Sequence, residues 1–316
     1  MTGTSDVITL RDAASGATAA IRPGYGFNCY TFQAVVDGES IEALWAEPGF
    51  GPGSNPMGSG IPLLFPFVGR LSRPEQTFQG QRFVVHDAPV LDGKPIHGYV
   101  IERPWRVVEQ SERRAVGTFR AAIDAPALIE QWPADFELTV SYEVDGNALI
   151  SEITVANPDS RPLPFAFGTH AYFRLQIGGG DAAACRITVP ARAYWELAAG
   201  IPIGPKAPAI GPYALGDGIA FGDLAVDAVF TDLALEGGAI QTTIADPSSG
   251  RRVIQRVDPV FRECVIYCPP HRQAIAIEPW TAVPDPFALA ARGVDTGLQV
   301  LSPGESVSME IEIRVE

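Results

Sequence analysis

The chain has 316 residues, 46% of them hydrophobic, with 37 acidic and 23 basic side chains and a formal net charge of −14 at pH 7. That length and apolar content allow a core large enough to fold without disulfides or a structural metal ion. The acidic balance repels polyphosphate backbones and argues against a nucleic-acid partner, although an acidic surface also serves plain solubility.

Alternation of apolar and polar residues with period two predicts β-strands along most of the chain. The segments 136–144 and 148–155 flank Asp145-Gly146-Asn147, whose turn chemistry predicts a β-hairpin. In chain order, all strand candidates lie near residues 27–36, 81–86, 104–109, 115–123, 136–144, 148–155, 185–189, 251–257, 264–268, 273–278 and 307–315.

The spacing of these strands predicts an all-β fold, a large antiparallel β-sandwich whose long loops carry the functional site. No sustained 3.6-residue periodicity predicts a long helix, and no polar linker interrupts the strand signals, so we expect residues 1–316 to form one domain. The glycine-rich segment 49–60 lacks the Gly-Lys-Ser/Thr ending of a phosphate-binding loop, and two prolines remove backbone donors from it. We expect an irregular loop there.

The cysteines and the N-terminal segment indicate the cellular compartment in which the protein works. The chain has no CxxC pair, which favours free thiols in a reducing compartment over a zinc ribbon or a disulfide framework. The first 16 residues lack a basic segment followed by an apolar stretch, and no later run approaches the roughly 18 apolar residues that span a bilayer. We therefore expect a soluble cytoplasmic protein with no membrane partner. The four cysteines are Cys29, Cys185, Cys264 and Cys268.

Two of the four histidines are the better candidates for proton transfer near neutral pH. His170 lies in the aromatic segment 165–173, which can partly desolvate an imidazole, and His97 precedes a glycine in a tight connection from which a side chain can point into a cleft. Each is, taken singly, more often a structural or surface residue. That alternative is favoured for His86, at a strand end, and for His271, in a proline-rich turn.

Glu278 ends the apolar run 274–277 directly before a proline and a tryptophan, so we expect its carboxylate half way out of a strand. Apolar and aromatic neighbours raise a carboxylate pKa toward neutrality, which suits a general base at pH 7. The alternative is a strand that stops at the proline and leaves Glu278 in water. Asp227 admits the same two interpretations. Arg70 follows an apolar run and can either donate to ligand hydroxyls or pair with a surface acid.

Five segments together resemble the galactose mutarotase (aldose 1-epimerase) family, in the same order along the chain. Residues 60–71 are similar to the family's GIPILFPF and GR elements, and residues 97–100 resemble its HG-aromatic element. Residues 168–173, GTHAYF, resemble GxHPYF; residues 227–230, DAVF, resemble DDxF; and residues 276–279, AIEP, resemble the strand end xxEP. Each segment alone is weak, whereas the combination is specific.

The resemblance implies a multi-sheet β-supersandwich and an isomerase that interconverts the α and β anomers of a free aldose without cofactor or metal. It implies that Glu278 is the general base and that His170, protonated, is the general acid, the two facing each other across a pyranose-sized cleft. A small sugar is the expected partner, and a monomer or homodimer the expected assembly. Arg70, His97 and Asp227 are then expected to orient the sugar hydroxyls. We expect Tyr172 and Trp280 to offer apolar faces to the sugar.

Three positions depart from the family pattern and bear on the preferred sugar more than on the reaction. Ala171 replaces the usual proline, Ala228 replaces the second acid, and Ala288 stands where the family often has an asparagine.

Alternative functions stay open. A hexose-6-phosphate 1-epimerase of the same fold would need an arginine-rich phosphate pocket, and only Arg70 and Arg73 cluster near a matched segment. A non-catalytic carbohydrate-binding protein would keep the cleft but would be free to lose Glu278 and His170. A glycosidase fits less well, because it normally needs two well-placed carboxyl groups.

Overall fold

A computed structural model describes residues 7–316, and antiparallel β-strands dominate it. The strands are β1 Ile8–Arg11, β2 Thr18–Arg22, β3 Asn28–Val36, β4 Glu39–Glu42, β5 Leu63–Leu64, β6 Glu75–Phe78, β7 Gln81–Val84, β8 Val90–Leu91, β9 Lys94–Pro95, β10 Arg106–Gln110, β11 Arg114–Arg120, β12 Glu137–Asp145, β13 Ala148–Ala156, β14 Leu163–Phe165, β15 Gly168–Thr169, β16 Tyr172–Arg174, β17 Arg186–Thr188, β18 Ala191–Trp195, β19 Leu197–Ala198, β20 Ile201–Pro202, β21 Ala207–Pro208, β22 Ile219–Ala220, β23 Asp227–Leu233, β24 Ile240–Ala245, β25 Arg252–Val257, β26 Glu263–Tyr267, β27 Ala274–Trp280, β28 Gln299–Leu301 and β29 Ser306–Val315.

Helical structure in residues 7–316 is short. None of these helices is long and apolar enough to cross a membrane. The α-helices are α1 Ala121–Asp124 and α2 Pro286–Ala290, and the 3-10 helices are Pro126–Glu130, Ala182–Ala184, Gly211–Tyr213, Leu215–Asp217 and Phe221–Asp223.

The all-β prediction is confirmed, and so is the hairpin, in which β12 pairs with β13 from Glu137↔Ala156 to Asp145↔Ala148. The strand predicted over 115–123 is too long, because β11 ends at Arg120 and α1 starts at the next residue. The segment 49–60 forms the expected irregular loop. The single domain over 1–316 stays a prediction, and its first six residues lie outside the described part of the chain.

Two large antiparallel sheets pack face to face and enclose the main core. The first has nine strands in the order β10-β11-β12-β13-β29-β25-β24-β17-β22, and the second has eight, in the order β21-β18-β23-β26-β27-β15-β5 with β16 also paired to β27. Alternate residues of β12 and β29 point into the space between them, since a strand exposes successive side chains on opposite faces. The fully buried side chains of β12 are Leu138, Val140, Tyr142 and Val144.

The eight-stranded sheet has a second, outer face that turns away from the nine-stranded sheet. In β27, Ile275 and Ile277 belong to the main core, so the alternate residues Glu278 and Trp280 lie on the outer face. Loop residues such as Val68, Ile101 and Val283 cluster with Trp280 on this face. Polar side chains can therefore be buried there without entering the main core.

Phe27 shows how tightly the main core is filled. Its ring lies between those of Trp105 and Tyr142, with centroids 5.6 Å away on each side. Gly117 of β11 faces the same ring, and a Cβ at that position would lie 2.7 Å from two ring carbons of Phe27. The ring cannot yield, because it is held on both sides.

We expect Gly117→Ala to lower the free energy of unfolding by about 1–3 kcal/mol, the usual cost of overpacking a filled core. Gly24→Ala is the control, because no atom lies within 4 Å of a Cβ there. Urea unfolding followed by circular dichroism measures both variants. Equal midpoints for the two variants would contradict the tight packing at Phe27.

Candidate active site

The register of three neighbouring strands places two acids on the outer face of the eight-stranded sheet. Glu278 of β27 pairs with Val265 of β26, which pairs with Val229 of β23. Two residues further along the same strands, Asp227 of β23 pairs with Tyr267 of β26. Because alternate residues share a face, the two carboxylates lie on one face of the sheet, two strands apart and two residue pairs out of line.

Glu278 is not half way out of its strand, as the sequence suggested. Strand β27 continues through the following proline to Trp280, and the Glu278 side chain is 1% exposed. Pro279 does not end the strand, because the pairing with β26 continues through Cys264↔Pro279 to Glu263↔Trp280.

His170 contacts Glu278 directly. Its backbone N–H donates to the carbonyl of Pro62 over 2.9 Å, which fixes the residue just beyond β15. Its Nε2 lies 3.3 Å from Oε1 of Glu278. The expected cleft between the two side chains is therefore wrong for this structure, in which the imidazole and the carboxyl touch.

Aromatic rings pack around the His170 imidazole. Tyr172 stacks on it with the centroids 4.9 Å apart and the planes 15° apart, and Tyr267 meets it edge-on at 6.2 Å. His97 lies on another side at 5.5 Å, with its plane 87° from that of His170. The rings exclude water from an imidazole that could otherwise be charged near neutral pH.

A turn in left-handed backbone positions His97 beside His170. His97 has φ of 61°, and Gly98 follows with φ of 76° where any Cβ would overlap the backbone of Phe65. The His97 N–H donates to the carbonyl of Gly69 at 3.0 Å, and the Gly69 N–H donates to His97 Nδ1 at 3.2 Å. Because Nδ1 accepts, a neutral His97 carries its proton on Nε2.

Burial shifts both Glu278 and His170 away from their charged forms. It raises the pKa of Glu278 well above the usual carboxyl value, and the negative charge of Asp227 adds to that increase. It lowers the pKa of His170 to about 3. Both shifts favour the uncharged forms, so a proton on the Glu278 carboxyl is favoured over a proton on the His170 imidazole when no ligand is bound. The protonated His170 expected from the resemblance stays a prediction.

Removal from water also shifts the pKa of two other candidate residues, although Asp227, at the start of β23, is exposed and only His97 is buried. It raises the pKa of Asp227, an effect that the positive charge of Arg70 partly offsets. It lowers the pKa of His97 well below the usual imidazole value, and His170 and Arg70 lower it further. These mutual influences place Arg70, His97 and Asp227 in one electrostatic environment with the pair.

Two buried polar atoms of the pair have no hydrogen-bond partner within residues 7–316: Nδ1 of His170 and Oε2 of Glu278. Trp280 borders His97, with ring centroids 5.9 Å apart. Buried polar groups are nearly always paired in folded proteins. A cluster of unpaired donors and acceptors is therefore characteristic of a place that binds a polar ligand.

The structure brings all six sequence-predicted site residues together. It keeps the other two histidines outside the site: His86 is exposed, and His271 stacks on Trp45 at 4.6 Å in an exposed turn. Sequence reasoning missed Tyr267, because only the pairing of β26 with β27 shows that it lies beside Glu278. No group of three or more His, Cys, Asp or Glu side chains able to hold a metal ion occurs in the described residues.

Comparison with solved structures shows the fold. A galactose mutarotase-like protein from Clostridium acetobutylicum is 21% identical, with a TM-score of 0.85 over 98% of this chain and 95% of that one. An aldose epimerase homologue from C. elegans is 18% identical, with a TM-score of 0.79 over 99% of each chain. A galactose mutarotase-like protein from Lactobacillus casei is 20% identical, with a TM-score of 0.71 over 98% of this chain and all of that one.

Sequence comparison agrees with the structural likeness and extends to most of the chain. The model of the aldose 1-epimerase family matches residues 55–314. This span includes both sheets' central strands and every residue of the candidate site. The chain belongs to the aldose 1-epimerase family.

Proposed function

We propose that this protein is an aldose 1-epimerase that interconverts the α and β anomers of a free aldose. The direct contact between buried Glu278 and His170, each with an unpartnered polar atom, is the observation that carries the proposal. Ring opening needs one group to take a proton from the anomeric hydroxyl and another to give a proton to the ring oxygen. A pair that shares a single proton supplies one acceptor and one donor.

In this proposal Glu278 acts as the base and His170 as the acid. Transfer of the shared proton across the 3.3 Å contact gives a carboxylate and an imidazolium without exchange with solvent. Sugar hydroxyls that donate to Glu278 stabilise its charged form and so favour that transfer. Glu278 then takes the proton of the anomeric hydroxyl while His170 protonates the ring oxygen, and the C1–O5 bond breaks to leave an aldehyde.

Rotation about the bond between C1 and C2, followed by ring closure, yields the other anomer. On closure the roles reverse: His170 takes the proton back from the hydroxyl at C5 as its oxygen attacks C1, and Glu278 returns a proton to the carbonyl oxygen. The pair ends with the one proton it began with. No electron transfer or group transfer is involved in this sequence.

The surrounding residues would hold the sugar in register with the pair, which matters because misplacement of a reacting ring costs much of the rate. His97 offers the Nε2 donor, Asp227 accepts from hydroxyls, and Arg70 donates to them. Tyr172 supports the imidazole by stacking. A free aldose suits this set better than a hexose 6-phosphate, because Arg70 is already paired with Asp92 at 3.2 Å.

The proposal predicts that the protein accelerates anomer exchange of galactose or glucose, and that Glu278→Gln and His170→Asn each lower kcat/KM by about 10²–10⁴-fold, the usual contribution of a proton-transfer group. Exchange spectroscopy by NMR on a panel of hexoses, pentoses and hexose 6-phosphates measures the rates. Sugar binding by calorimetry without accelerated exchange would show a carbohydrate-binding protein instead. Activity on the 6-phosphates alone would show a phosphosugar epimerase.

Glu278→Gln should also stabilise the fold at pH 7, which separates loss of catalysis from misfolding. The raised pKa means that the folded chain holds this proton more tightly than the unfolded chain does. As pH rises past 4.5, the ordinary pKa of a glutamate carboxyl, ionisation therefore favours the unfolded chain. Glutamine lacks this penalty, so its melting temperature should exceed that of wild type at pH 7 and approach it near about pH 4.

Calorimetry at the two pH values tests this expectation, with the exposed Glu236→Gln as the control for loss of one negative charge. A melting temperature at pH 7 that is lower for Glu278→Gln than for Glu236→Gln would contradict the burial penalty at Glu278.

The pH profile of kcat/KM should keep its acid limb far below the ordinary imidazole value of 6.5, because burial lowers the pKa of His170 to about 3. A second proton on the pair removes the proton acceptor, so activity falls only as pH approaches that lowered value. Loss of the single proton sets the alkaline limb, which lies above 4.5 because the pKa of Glu278 is raised. Rates corrected for spontaneous exchange, over the pH range in which circular dichroism stays native, give the profile. An acid limb near pH 6.5 would overturn this account.

A further inference from the structure

Two hairpin tips hold the end of the Arg70 side chain. Nη1 of Arg70 lies 3.2 Å from Oδ2 of Asp92, in the turn between β8 and β9, and donates to the carbonyl of Ala199 at 3.0 Å, in the turn between β19 and β20. The hairpins are more than 100 residues apart in sequence, and both converge on one nitrogen. The Arg70 side chain is 18% exposed, so its guanidinium sits at the edge of the site.

The first hairpin is also tied to the backbone on both sides of Arg70. Arg70 bridges Ile96, and the N–H of Leu71 donates to the carbonyl of Pro95 at 3.0 Å. The next residue along, His97, is bonded to Gly69 through backbone and side chain. The segment from Asp92 to His97 therefore holds Arg70 at two places. Its backbone bonds to the backbone around Arg70, and the carboxylate of Asp92 pairs with the Arg70 guanidinium.

The second hairpin touches Arg70 with its turn glycine. Gly200 has φ of 75°, and a Cβ there would lie 2.8 Å from Cδ and 3.0 Å from Nε of Arg70. The backbone of the turn thus lies close to the Cδ and Nε atoms of Arg70. Only a residue without a side chain lets the turn approach so closely and present the carbonyl of Ala199 to Nη1.

We propose that Asp92 and the Ala199–Gly200 turn are positioning elements that hold Arg70 in the orientation in which it donates to sugar hydroxyls. This inference rests on the proposed function for its kinetic consequences. Both elements act on Arg70 alone and take no part in proton transfer, so their loss weakens sugar binding and leaves the chemical step in place. A planar guanidinium gains most from such fixation, because its donors form a rigid fork.

The first test compares Asp92→Asn with Asp37→Asn. The two aspartates occupy matching exposed turns, with φ of 53° and 54°, and Asp37 makes no ion pair within residues 7–316. Asp92 is 69% exposed, so its replacement should leave the fold intact. We expect KM for the aldose to rise about three- to tenfold in Asp92→Asn with kcat changed less than about twofold, the pattern of lost uniform binding. Asp92→Glu should restore KM.

The second test compares Gly200→Ala with Gly238→Ala. Both glycines have positive φ, of 75° and 85°, and so carry a similar backbone cost, but no atom lies within 4 Å of a Cβ at Gly238. A rise in KM at Gly200 alone therefore reports displacement of Arg70 and not strain in a turn.

Side-chain NMR of arginine tests the inference independently of any activity. In the full chain labelled with ¹⁵N-arginine, Arg70→Lys identifies the Nε signal of Arg70, and Arg262, which pairs with Asp295 at 2.7 and 2.8 Å, is the internal reference. Asp92→Asn and Gly200→Ala should each lower the order parameter of Arg70 Nε and leave that of Arg262 unchanged.

The outcomes separate the two proposals. If the wild-type protein does not accelerate anomer exchange, the proposed function is refuted. The NMR comparison would still decide whether the hairpins hold Arg70. An unchanged Arg70 signal in both variants, or a KM in Asp92→Asn equal to that in Asp37→Asn, would overturn the positioning role.

Discussion

Burial favours the neutral form of Glu278, and most of the site follows from that. A carboxyl removed from water, with another acid two strands away, favours its neutral form, and the imidazole that touches it is pushed toward neutrality by the same surroundings. The uncharged arrangement of the pair, with its proton on the carboxyl, is thereby favoured over the charged one. In the proposed function the pair passes this proton in either direction, as the interconversion of two anomers requires.

The two-sheet architecture explains how such a costly arrangement is accommodated. The inner face of the eight-stranded sheet supplies Ile275 and Ile277 to the main core, and the same strand places Glu278 on the other face. Because successive side chains of a strand point to opposite faces, Ile275 and Ile277 stabilise the main core while Glu278, whose burial is unfavourable, stays outside it. The large apolar core can carry the energetic cost of an unpaired carboxyl oxygen that lies outside it.

Local sequence pattern was sufficient to predict the long strands and the site residues that lie in segments resembling the family. The alternation of apolar and polar residues in β12 and β29 predicted their buried faces, and the matched segments predicted His170 and Glu278 as a pair. Local pattern does not reveal the pairing of distant strands, so Tyr267 was missed and Glu278 was expected at a strand end. It does not reveal the shift in the pKa of His170 either, since that shift depends on rings that tertiary packing brings from separate parts of the chain.

Tight turns supply the parts of the site that strands cannot. His97 and Asp92 both lie in left-handed backbone, which an ordinary side chain rarely adopts, and hydrogen bonds to Gly69 hold His97 there. A strand places side chains only at intervals of two residues on a given face. A left-handed turn can instead aim a side chain back over the sheet edge. His97, from such a turn, and Glu278, from strand β27, therefore both contact the imidazole of His170 although no single strand connects them.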